Sequence, residues 1–209
     1  MRFIDPEPCL IFHTANSWDD YDRSGNVIAV NMLGCRFKSA KLVYSAGAVD
    51  VPKVERAFGE NDIVQLYYYR FDLVTGNISH AFPLAGIPFE FPTVPPSLGM
   101  MPSRYVYGCT MASGSFDERL GGAAKVDCLV KLDVLELIER GKRRGPGKWD
   151  VPVDNRSARE IMDQGGLISI FNCPDGWYAQ EPRFVPRQNG RGQDDGYLLS
   201  YGEPLSSHK

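Results

Sequence analysis

Three side chains in this sequence have the types and settings from which a metal site is made. His13 ends the apolar run Leu10-Ile11-Phe12, and Thr14-Ala15-Asn16-Ser17, Trp18 and the carboxylates Asp19 and Asp20 follow it. Glu90 lies in Phe89-Glu90-Phe91-Pro92, and Glu181 opens Glu181-Pro182-Arg183-Phe184-Val185-Pro186-Arg187. Each glutamate stands among large apolar residues beside a proline. A ligating imidazole gives its other N–H to an oxygen, so a histidine and two glutamates on strand-like segments suit a metal ligand backed by carboxylates. The residues admit a plainer reading as well, since a single histidine in an apolar run is commonly a satisfied core residue. Glu90 is equally open: it is costly to bury without a partner, and merely solvated on an edge. Asp19 and Asp20 follow His13 closely enough to tune it, against the ordinary case of a solvated acidic pair at a strand end.

Other catalytic sets are absent. There is no G-x-S-x-G elbow and no H-E-x-x-H, and the Gly-rich stretch from Met111 to Ala124 has neither phosphate-cradling pattern. Of the other two histidines, His80 reads as a surface or cross-strand residue, and His208 stands next to the last residue. Cys9, Cys35, Cys109, Cys128 and Cys173 are scattered and odd in number, which argues against a disulfide framework and a zinc site. Most are expected to be small buried hydrophobes. A formal charge of −3 gives no long-range attraction to nucleic acid, and Lys142-Arg143-Arg144 is too short a cluster to argue otherwise. The N-terminus, interrupted at once by Asp5 and Pro6, lacks signal-peptide form, so a cytoplasmic location is the expectation.

The elements that must position these residues read as strands. Cys9 to His13 is a short buried strand, with a polar turn after it. Asn26 to Leu33 is apolar on both faces. Asp62 to Leu73 and Ile78 to Leu84 flank the tight turn Val74-Thr75-Gly76-Asn77, the unit of an up-and-down meander. The prolines from Pro88 to Pro96 exclude a regular central strand around Glu90. Arg104 to Thr110, Lys125 to Val134, Trp149 to Val153, Leu167 to Phe171, Tyr178 to Pro186 and Tyr197 to Tyr201 complete the strands. The last hairpin joins Leu167–Phe171 to Tyr178–Pro186 through Cys173-Pro174-Asp175-Gly176 and carries Glu181 on its return strand. Short helices are expected over Leu135 to Arg140 and over Arg156 to Gln164, the latter capped by Asp154 or Asn155. Arg36 to Gly59 reads as loop, with a possible helical turn at Pro52 to Phe58. Gly141 to Gly166 reads as a surface insertion.

The strings FHTANSWDD, FEFPTV, RYVYG, EPRFVPR and DDGYLLS, in this order, resemble the C-terminal part of the carotenoid cleavage oxygenases, which act on carotenoids, apocarotenoids or stilbenes and include a retinoid isomerase. The resemblance implies an all-β chain forming part of a seven-bladed β-propeller (several blades only), with short helical insertions. It implies iron(II), Fe(2+), bound by four histidines with three glutamates behind them. His13 matches the third of those ligands, and Glu90 and Glu181 match two of the glutamates. It also implies an apolar polyene or stilbene-like substrate, dioxygen, and a peripheral membrane contact of the full-length protein. The first two histidines and the first glutamate of the family's pattern have no counterpart here. The fourth histidine, usually in Gly-Phe-His-Gly, is not matched by His208 in Ser206-Ser207-His208-Lys209. On this resemblance the chain is expected to be a fragment truncated at both ends, with a partial propeller over 1–201 and a disordered tail over 202–209. The alternative is a truncated, non-catalytic relative lacking three of the four ligands.

Overall fold

The computed structural model describes residues 9–47, 50, 63–112 and 126–204. Two sheets carry the core, antiparallel except where Gly147–Lys148 joins the first. The first has the order β1-β2-β3-β4-β8, from Leu10–Tyr21, Val27–Phe37, Gln65–Asp72, Ile78–Pro83 and Gly147–Lys148. The second has the order β5-β6-β7-β9, from Glu90–Thr93, Tyr105–Thr110, Cys128–Asp133 and Ile168–Asn172. Two two-stranded ribbons follow. β10 (Trp177–Ala179) pairs with β13 (Gly202–Pro204), and β11 (Arg183–Pro186) pairs with β12 (Gly196–Leu199). The helices are short: α1 (Lys41–Ala46), α2 (Val134–Lys142) and α3 (Ala158–Gln164). The chain is all-β with few helices.

Period-two alternation explains β3. Leu66 and Tyr68 point into the main core with Leu33, Cys35, Phe82 and Leu84, while Tyr67 and Tyr69 pack on the other face with Ile11, Met32 and Ala81. The main core runs on without a break into the second sheet, through Phe89, Val106, Val130 and Leu132, and onto Leu137 and Ile138 of α2. Gly141 allows α2 to settle on the Phe82 ring, because a Cβ there would collide with it.

Several expectations are corrected. β1 does not end at His13 but runs through the polar residues to Tyr21. Its backbone is paired by β2, and irregularities between Ile11 and Thr14 and between Thr14 and Asn16 absorb the extra residues. α1 lies in the stretch read as loop, whereas the helical turn at Pro52 to Phe58 falls outside the described residues. The segment read as a surface insertion is a cover for the edge of β4. β8 pairs with β4 in parallel, and Trp149, Val153 and Asp154 donate their N–H groups to Ala81, Pro83 and Leu84. Ser157, not Asp154 or Asn155, caps α3, in a reciprocal box with Glu160. Asp154 is bound instead to Arg156 at 2.7 Å. The last expected hairpin does not form, since β9 pairs with β7 and the return strand breaks at Gln180–Pro182 into β10 and β11. Gly202–Pro204, expected in the unstructured tail, is β13.

Candidate functional site

β1 and β5 are edge strands of different sheets, and they face each other. His13 lies in the first irregularity of β1, where an extra residue bends the strand and re-aims its side chain. Glu90 opens β5, a strand that the prolines confine to an edge, as expected, with a register break before Thr93. The two side chains meet across the gap: His13 Nδ1 lies 2.7 Å from Glu90 Oε2. Glu90 is only 5% exposed, while His13 is 48% exposed. The buried carboxylate therefore holds one ring nitrogen and leaves the other on the open side.

Burial raises the Glu90 carboxyl above its ordinary range, and the bonds from the Phe91 N–H and from His13 work against that rise. Oε2 accepts both bonds, the Phe91 N–H at 2.9 Å. Oε1 is buried and has no partner among the described residues. Such an atom is costly unless the carboxylate serves another purpose. With the proton on Nδ1, donated to Glu90, Nε2 keeps a lone pair; that is the arrangement of a metal-ligating imidazole. His13 and Glu90 thus fit one ligand and its carboxylate. Among the described residues no group of three or more His, Cys, Asp or Glu side chains converges to hold a metal.

The other expected residues are placed elsewhere. Glu181 is 49% exposed, lies between β10 and β11, and pairs with Arg183 at 2.9 Å. Cys109 is paired with Glu90 in the sheet. The Cys109 thiol reaches the Gln180 carbonyl at 3.5 Å. It is pushed up to about 12, first by burial, then by Cys173, Glu181 and Glu90. Asp20 does not tune His13: it accepts from Asn31 at 2.8 Å and Arg70 at 3.0 Å. His80 is a cross-strand residue of β4, opposite Arg70. Cys35, Cys109 and Cys128 are buried free thiols; Cys9 is exposed.

Two residues that composition did not single out complete the surroundings. Asn16 is buried and holds the loop after β5. Its Nδ2 donates to Leu98 O at 3.1 Å and Met101 O at 2.7 Å, and its Oδ1 accepts from Met100 N at 2.9 Å. Gly108 lies under Glu90: a Cβ there would stand 2.6 Å from the Phe89 ring and 2.9 Å from the Glu90 carbonyl oxygen. Gly108→Ala is accordingly expected to cost about 1–3 kcal/mol through overpacking, read as a lower urea midpoint. An unchanged midpoint would show that Phe89 repacks freely.

The family model described as retinal pigment epithelial membrane protein (RPE65) matches residues 2–208. The carotenoid dioxygenase carX of Gibberella fujikuroi is 38% identical over 96% of this chain and 36% of its own length. The carotenoid 9,10(9',10')-cleavage dioxygenase 1 of Arabidopsis thaliana is 29% identical over 96% of this chain and 30% of its own. Among solved structures, the cobalt-substituted apocarotenoid oxygenase of Synechocystis matches with a TM-score of 0.58 at 19% identity, over 93% of this chain and 31% of that one. The chain spans about a third of the length of the curated relatives it matches. It belongs to the family of the retinal pigment epithelial membrane protein and the carotenoid cleavage oxygenases.

Proposed function

We propose that these residues are part of a non-haem iron(II) dioxygenase that oxidatively cleaves a conjugated C=C bond of a carotenoid, apocarotenoid or stilbene. The observation that carries this reading is the 2.7 Å bond from His13 to a buried carboxylate on the facing sheet edge. His13 would hold the iron through Nε2, while Glu90 takes the Nδ1 proton's bond and offsets positive charge from within the core. Bound there, iron(II) with nitrogen ligands supplies open positions for dioxygen. Phe12, packed edge-on against Phe37, and Phe91, beside the His13 ring, give the approach an apolar wall suited to a hydrocarbon. Glu181 would serve an imidazole from outside these residues. The two meander sheets with facing edges support neighbouring blades of a seven-bladed propeller, whose inner strands would be β1 and β5.

Three histidines in 209 residues cannot make a four-histidine site. The test therefore uses the longer polypeptide that contains this chain: metal analysis, then incubation with a polyene or a stilbene under dioxygen. Stoichiometric iron and two carbonyl products are expected. A loaded protein that leaves every substrate intact would overturn the reading. The 209-residue chain alone is expected to bind iron weakly and not to turn over. The second reading is a truncated, non-catalytic relative, and an immunoblot of the native product decides between them. A band at 23.3 kDa supports the relative, and a much heavier one the enzyme.

A further inference from the structure

Phe91 has a φ of 54°, in the left-handed region that a bulky aromatic rarely occupies. The next residue, Pro92, narrows the choices of the residue before it still further. Backbone held in such a state persists only where the surroundings over-determine it, and such places cluster at functional sites. Here the effect of the strain is visible. The turn at Phe91 directs its own N–H back onto Oε2 of the preceding side chain at 2.9 Å. That oxygen is the one that takes His13 Nδ1 at 2.7 Å. The Phe91 ring lies with its centroid 5.6 Å from that of the imidazole, tilted by 42°. A single residue thus fixes the carboxylate oxygen by its backbone and confines the imidazole by its side chain.

We infer that Phe91 is a positioning residue for His13: its left-handed backbone fixes Glu90 Oε2, and its ring keeps the imidazole turned with Nδ1 toward that oxygen and Nε2 outward. The inference rests on the reading of His13 as a metal ligand, and extends it to a residue that offers the metal no ligand and acts through Glu90 and the imidazole. The structural cost has a purpose in this account. A regular β conformation at position 91 would relieve the strain and turn the N–H away from Oε2, leaving the carboxylate free to rotate.

The test reads the tautomer of His13 and needs no metal. The 209-residue chain is labelled with 15N-histidine and measured above the imidazole's titration range, with His13→Gln assigning the signal. The wild-type ring is expected to carry its proton on Nδ1. Phe91→Tyr should preserve that state. Phe91→Ala should lower the Nδ1–H population about twofold or more, because the ring is then free to turn. Phe91→Leu, which keeps most of the apolar volume, is measured beside it against loss of the fold, with far-UV circular dichroism as the check. A purely structural Phe91 would change the melting temperature and leave the tautomer as it was. An unchanged tautomer in a folded Ala or Leu variant overturns the inference. Failure of the dioxygenase reading would show separately, as a longer polypeptide that cleaves nothing while Phe91 still governs the ring.

Discussion

Glu90→Gln is expected to lower metal affinity of the complete polypeptide by about 10–100-fold, the usual cost of losing the carboxylate behind a ligating histidine. The same change should leave thermal stability equal or higher. The carboxylate oxygen Oε2 accepts two bonds, from the Phe91 N–H and from His13. A glutamine amide has one oxygen. If that oxygen takes both bonds, the NH2 group replaces Oε1 in a buried place without a partner. If the amide turns over, its NH2 faces Nδ1 and favours the tautomer with the proton on Nε2, which removes the lone pair a metal would need. Stability moves differently because burial already disfavours the ionised carboxylate, as its raised pKa records. A neutral side chain of equal size escapes that desolvation. Metal titration and a thermal melt on one preparation separate the two effects. Unchanged affinity would mean that the bond across the sheet edges has no part in holding a metal.

How far the site was legible in the sequence follows from how local its determinants are. Glu90 could be placed on an edge because its prolines forbid a central strand, and that constraint lies within four residues of it. Glu181 was read onto a return strand but lies between β10 and β11, because composition does not distinguish a buried glutamate from one captured by Arg183 two residues on. Asp20 looked like a neighbour of His13, but its partners Asn31 and Arg70 come from two other strands, and only strand pairing brings them together. The run from Thr14 to Ser17 looked like a turn because its side chains are small and polar. The strand continues there because β2 takes its backbone groups, a choice that side-chain types do not encode. The β4 cover from Gly147 to Asp154 was hidden for the same reason: main-chain bonds hold it. Phe91 was quoted in a motif, yet its unusual φ is a property of its surroundings.

The second large effect is expected where β1 is anchored. Asn31 is 1% exposed, accepts from the Tyr68 hydroxyl at 2.6 Å, and donates to Trp18 O at 3.3 Å and Asp20 Oδ1 at 2.8 Å. Burial pushes the Tyr68 phenol far above its ordinary range, so the hydroxyl keeps its proton and acts as the donor. Asn31→Leu leaves that hydroxyl and the Trp18 carbonyl without this partner, and should cost roughly 2–4 kcal/mol by urea denaturation. Tyr68→Phe leaves the Asn31 oxygen unpaired and should cost about 1–2 kcal/mol. The double variant removes both ends of the bond, so its cost should fall below the sum by about 1–2 kcal/mol. Simple additivity would mean that the two side chains do not share a bond worth measuring. Trp18 and Asp20 belong to the same strand as His13, and a one-residue slip of a strand turns every side chain to the opposite face. One irregularity holds His13 and a second lies between it and these contacts, so the strand's own pattern specifies its register weakly. The Asn31 amide, bonded at Trp18 and Asp20, fixes the register from the far end. In Asn31→Leu the β1 amides should therefore exchange faster than those of β3, and the bond from His13 to Glu90 should weaken although neither residue touches the substitution.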